Sequence, residues 1–139
     1  MSRSGYTDDC DTQWQFVLWR GAVASAIRGK RGQQFLGEML AAMEALPEKK
    51  LTSWELEADG QVCAIGSVGR ARGIDMSKLD PEDCDRVAAA FGISRALACE
   101  IVWQNDEATW SAEETPERRF ERMKAWAERN LKKSASNAP

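Results

Sequence analysis

The spacing of hydrophobic positions is helical over most of the chain. Phe35, Leu36, Met39, Leu40, Met43 and Leu46 recur at three- and four-residue intervals and predict a helix that Pro47 stops. Upstream, Asp11 or Thr12 can cap a helix beginning near Gln13. Its apolar residues (Trp14, Phe16, Val17, Leu18, Trp19, Ala22, Val23, Ala24, Ala26 and Ile27) fall on more than one face. A helix of that kind is expected to be central and largely buried. Arg28-Gly29-Lys30-Arg31-Gly32 breaks it, and the short connection predicts an antiparallel helix pair.

Leu51 to Gly73 carries mixed signals. Trp54, Leu56 and Ala58 alternate with polar residues, and Asp59-Gly60 is a hairpin turn. Val62, Ile65, Val68 and Gly69 return to helical spacing, with small residues between them. A short extended piece, the turn, and a short helix ending at Gly73 are expected, with a two-stranded hairpin as the alternative. Asp80-Pro81-Glu82-Asp83 predicts a helix start, since it supplies a cap, a proline and acids at the positive dipole end. That helix runs to Phe91 and turns at Gly92. Ser94 caps the next, from Arg95 to about Asn105, and Thr115-Pro116 starts the last, whose stripe is Phe120, Met123, Trp126, Ala127 and Leu131. The fold class is therefore mainly α: a compact domain of about six helices, with at most one short β-hairpin near 54–65. Residues 1–11 read as a flexible N-terminus, 12–131 as a single helical domain and 132–139 as a disordered tail.

Composition narrows the chemistry. The 139 residues suit one domain, and 43% hydrophobic with 29% charged residues excludes disorder for the bulk of the chain. There is no histidine, which removes His-based triads, His general bases and His-ligated metals. Cys10, Cys63, Cys84 and Cys99 form no Cys-x-x-Cys pair, so free thiols are expected and no metal or cofactor. A cysteine nucleophile would lack a His partner. No apolar leader stands at the N-terminus, and the longest apolar stretch is interrupted by Arg20. A soluble, disulfide-free cytoplasmic protein without a membrane partner is the expectation.

Charge is unevenly spread. Residues 74–115 hold ten acids and three bases, whereas 116–139 hold three acids and seven bases, within a chain of net charge −3. Val87 to Leu97 resembles a helix-turn-helix, with a small residue, a glycine at the turn and an apolar residue beyond. Its second helix offers Arg95 and then Glu100, Asp106 and Glu107, which would repel a phosphate backbone. Arg28, Lys30 and Arg31 around two glycines could contact an anion, or could simply form a solvated loop. Arg70 and Arg72 suit a helix C-terminus and could pair with the acidic segment.

The carboxylates Asp83, Asp106, Glu107, Glu113 and Glu114 lie at helix ends and in loops, where capping is the ordinary role. Together they also suit a surface for a basic partner. Trp110, between Asp106-Glu107 and Glu113-Glu114, would be its aromatic anchor. Six tryptophans are many for this length, and symmetric self-association into a homodimer is a further expectation.

Trp19 to Gly32, Asp59 to Gly66, Asn105-Asp106-Glu107 and Thr115-Pro116-Glu117 resemble small proteins of proteobacterial phages and prophages, over about residues 6–131. The resemblance carries no catalytic residues. It implies a setting in which small acidic proteins, anti-CRISPR proteins among them, bind and block a host defence protein. The functional expectation is thus a non-enzymatic, anti-CRISPR-like inhibitor in the cytoplasm of a bacterial host. Its partner would be a defence protein, such as a Cas nuclease or effector complex, with a basic nucleic-acid-binding surface. A small nucleic-acid-binding regulator using the helix-turn-helix-like segment at 81–105 is the alternative.

Overall fold

The computed structural model describes Arg3, Ser4, residues 13–109 and residues 113–132. Among the described residues there are six α-helices and one short antiparallel hairpin. Helix α1 spans Gln13–Arg28 and α2 spans Lys30–Glu44. Strands β1 (Glu57–Ala58) and β2 (Gln61–Val62) pair Glu57 with Val62 and Ala58 with Gln61. Then come α3 (Ala64–Arg72), a 3-10 turn at Met76–Lys78, α4 (Cys84–Phe91), α5 (Arg95–Asp106) and α6 (Pro116–Asn130).

The hairpin turn has φ of 53° at Asp59 and 79° at Gly60, the paired positive angles that a two-residue primed turn demands. Both expectations for this region hold, because β2 runs directly into α3. The Cys63 thiol caps α3 by accepting from the Gly66 N–H at 3.3 Å, and Gly73 closes the helix in the left-handed region. Close packing sets the small residues of α3. A Cβ on Gly66 would strike the Leu56 carbonyl oxygen, and one on Gly69 would meet Met76 and the Phe91 ring.

One apolar cluster joins α2 to α6 with β2; Leu36, Met39, Met43, Ile65, Leu97, Ile101 and Met123 are fully enclosed. Helix α5 runs through its middle, touching α1, α3, α4 and α6. Of its twelve residues, only Arg95 is exposed.

Four expectations need correction. Helix α1 is not central: Val23 is its one buried residue, while Trp14 is 68% exposed and Phe16, Val17 and Leu18 are each about half exposed. Its N-terminal half lies against the outside of the bundle, where an apolar surface meets solvent. The break at 28–32 shrinks to Gly29, because α2 starts at Lys30 with Gly32 pressed against the Ala26 carbonyl oxygen. Helix α4 begins at Cys84, three residues later than Pro81 suggests. Asp80 accepts from the Glu82 N–H at 2.9 Å in a local turn, and Asp83 becomes the cap by accepting from Arg86 N–H at 3.2 Å. Arg3 and Ser4, read as part of a loose terminus, are both buried.

The bundle is tied together at the C-terminal end of α5. Buried Asn105 accepts from Ala64 N–H at 3.0 Å, satisfying the first amide of α3. It donates to the Thr52 carbonyl at 3.0 Å and to Asp106 Oδ1 at 2.8 Å. Arg122 of α6 donates to the Gln104 and Asn105 carbonyls, two of the acceptors that α5 leaves unpaired. Asn105→Ala strands the Ala64 amide and the Thr52 carbonyl and is expected to lower stability by about 3 kcal/mol in urea unfolding. Asn105→Asp should be no better at neutral pH, since a carboxylate cannot donate to Thr52 or Asp106.

Candidate functional site

The acids at the end of α5 do not form one open face. Asp106 has a fully enclosed side chain that forms an ion pair and hydrogen bonds with Arg3, itself enclosed. It also accepts from the Trp54 N–H at 3.1 Å. Glu107 is half-buried and accepts from Ser4 Oγ at 2.9 Å. Glu114 is 7% exposed and is clamped by Arg122 at 2.7 Å and Arg119 at 3.4 Å. Hydrogen bonding and the charge of Arg122, followed by the charges of Arg119 and Arg118, hold Glu114 below the usual carboxylate range. Glu113 is exposed, and Trp110 lies outside the described residues. The basic C-terminal stretch therefore neutralises part of the acidic one inside the fold.

Trp54 sits on this end with its side chain 46% exposed and its backbone at φ 69°, a conformation rare for an aromatic residue. The Asp106 carboxylate holds its amide in place. Arg3 ties this region to the start of α4, since its carbonyl accepts from Cys84 Sγ at 3.2 Å. Cys84 also lies beside Cys99, whose hydrogen bond pulls its pKa below the ordinary thiol value, with Arg95 and Arg3 acting in the same direction. Cys63, Cys84 and Cys99 are all buried, free thiols.

The exposed carboxylates lie elsewhere, around Asp83. Asp75, Asp80, Glu82, Asp83 and Asp85 occupy an eleven-residue span whose one cation is Lys78. The side chains of Asp75, Asp83 and Asp85 are 59%, 40% and 78% exposed. Asp75, Asp80 and Asp83 each accept a hydrogen bond from an N–H two or three residues on, so their positions are set locally. Arg70 and Arg72 do not reach this segment. They pair instead with Glu57 at 3.2 Å and Glu38 at 2.7 Å.

The helix-turn-helix resemblance holds in geometry and fails in exposure. Helices α4 and α5 meet at 107° across Gly92-Ile93-Ser94, within the range of that motif. The second helix, which would have to enter a groove, is the one this fold buries. Arg28, Lys30 and Arg31 are exposed beside a cleft of about 220 Å³ that also touches Ser94 and Leu97. Two cations in the first turn of α2, which has no side-chain cap, oppose the helix dipole.

Sequence reasoning missed the outward face of α1, because a helix apolar on every side reads as buried. Arg20, the single charge between Gln13 and Ile27, gives no signal of that face, because it turns toward buried Glu100. Among the described residues, no single helix is long and apolar enough to cross a membrane. No protein family, curated protein or solved structure matches the chain.

The Glu114 clamp gives a test of where the acidic charge goes. Its folded-state pKa is lowered, so its contribution is present above the ordinary carboxylate value of 4.5 and lost as pH falls through the lowered one. Glu114→Gln is expected to cost about 2 kcal/mol at neutral pH. Denaturation of both proteins across pH 7 to 3 should show that gap closing toward the acid end; a constant gap would mean that the clamp is not electrostatic.

Proposed function

We propose that the protein is a non-enzymatic inhibitor that binds a basic surface on a host defence protein and blocks it, in the manner of anti-CRISPR proteins. The observation that carries this reading is the span Asp75–Asp85, with five carboxylates against one cation and each acid exposed or partly exposed. Local caps set much of its geometry, so little side-chain order remains to be lost on binding. A fixed patch of one sign steers a partner of the opposite sign and sets its register. Resemblance to small phage and prophage proteins supplies the setting, and a groove built for nucleic acid is the kind of basic surface such a patch fits.

The contact surface differs from the one expected around Asp106 and Glu114, whose charges are used internally. In this reading Asp106 and Glu114 position, and Asp80, Glu82, Asp83 and Asp85 contact. Exposed Trp54 supplies an aromatic group on the end that Arg3 links to α4. Nucleic-acid recognition through α5 would require unpacking the helix at the centre of the core.

The test is capture of partners from a bacterial host lysate by the tagged full chain, at low and high salt, with nuclease treatment in parallel. A defined protein partner, resistant to nuclease and weakened by salt, is expected. The triple variant Asp80→Lys, Glu82→Lys, Asp85→Lys leaves the Asp83 cap intact and should weaken that partner roughly tenfold or more, about 1.4 kcal/mol. Undiminished affinity would sink the patch assignment, and loss of the partner on nuclease treatment would sink the inhibitor reading.

A further inference from the structure

The outward face of α1 is built to pair with itself. Residues 14, 17, 18, 21, 22 and 25 share one side of the helix by their spacing. They are Trp14, Val17, Leu18, Gly21, Ala22 and Ser25, all exposed and none charged. The opposite side carries Val23, which is buried, and Arg20 ion-pairs with Glu100 at 2.7 Å. A helix facing only water would carry its polar residues outward; this one points a tryptophan, a valine and a leucine that way.

The face is ordered by size, with large side chains in its first half and small ones in its second. A Cβ added to Gly21 would meet no atom within 4 Å, so the small half is an open shelf. If two copies of α1 lie antiparallel across a two-fold axis, each bulky half falls on its mate's small half. Leu18 then lies over Gly21, Val17 over Ala22 and Trp14 over Ser25, each in both directions. Such a match is what an isologous interface requires. Trp14, Val17 and Leu18 leave on the order of 350 Å² uncovered per chain, judged from their exposure and ordinary side-chain areas. With the shelf residues, a facing pair would bury about 900 Å² in total, the size class of a weak, concentration-dependent dimer.

We propose that the protein is a homodimer in which α1 of one copy pairs antiparallel with α1 of the other through Trp14, Val17, Leu18, Gly21, Ala22 and Ser25. This surface is separate from the carboxylates at 75–85, and the proposal stands or falls independently of the inhibitor reading. A second copy is favoured over an unrelated partner because both halves of the match are present on one helix.

Sedimentation equilibrium of the full chain at tens of micromolar should give twice the 15.5 kDa chain mass. A Cβ at Gly21 meets no atom within 4 Å, so Gly21→Leu fills the shelf without a clash at the backbone of its own chain. It should return the mass to one chain while leaving helical circular dichroism and thermal unfolding of the monomer intact, because leucine is also the better helix former. Leu18→Glu should do the same by placing a charge on the face. A wild-type protein that stays monomeric at about 100 μM, or variants that keep the dimer mass, would overturn the proposal.

Discussion

The end of α5 is the point on which the rest of the structure depends. Asn105 and Asp106 close the most buried of the described helices, and their side chains fix four groups on three separate pieces of chain. The first amide of α3, the Thr52 carbonyl, the Trp54 amide and the Arg3 guanidinium all find partners there. From the other side, Arg122 takes the carbonyls of Gln104 and Asn105 and the Glu114 carboxylate together. Each of these groups would be costly to leave unpaired once water is excluded. The apolar core specifies that the helices collapse; this polar knot specifies how the hairpin, α3 and α6 are placed around α5.

That constraint decides what the acidic segment can do. A helix through the centre of a small domain cannot also offer a face to a nucleic-acid groove, whatever its angle to α4. Carboxylates at its C-terminal end lie where the dipole is unfavourable to them, so they need cations close by. Arg3 is that cation for Asp106, while Glu114, which precedes α6, is clamped by Arg119 and Arg122. The acids before α5 meet the opposite condition. They stand before the start of α4 or in its first turn, where amides and dipole favour a negative charge, and exposed cations beside them pair with three: Lys78 with Asp75, Arg86 with Asp83 and Arg95 with Asp85. Position along the helix separates Asp106, which faces inward, from the acids around α4 that remain outside.

Much of this architecture was legible in the sequence. The stripe from Phe35 to Leu46, the Asp-Gly turn, the Gly73 and Gly92 stops and the Ser94 and Thr115 caps rest on contacts within a few residues, which pattern alone reports. What was not legible depended on contacts distant in sequence. Asp106 is paired with Arg3, 103 positions away, and Glu100 with Arg20, 80 positions away. No local rule distinguishes either acid from a solvated one. The shift of the α4 start from Pro81 to Cys84 is a subtler case: both Asp80 and Asp83 are good caps, and the later one closes the helix that packs. For α1, apolar residues on every side read as burial, whereas Val23 is its one buried residue.

The attachment of α1 bears on that last point. It contributes one fully buried residue, Val23, packs Ala26 and Ile27 against the core, and is held further by Arg20 on Glu100 and by the Arg95 guanidinium 5.7 Å over the Trp19 ring. Ion pairs to a buried acid add little net stability, because desolvation offsets the attraction, but they are demanding in geometry. Glu100 is enclosed, and Gln104 also donates to it at 2.9 Å, so Arg20 has one place to go. A helix fastened in this way cannot roll to hide Trp14, Val17 and Leu18 without abandoning a buried carboxylate. The outward direction of the apolar face is therefore imposed by the body of the protein, and that face stays available to whatever covers it.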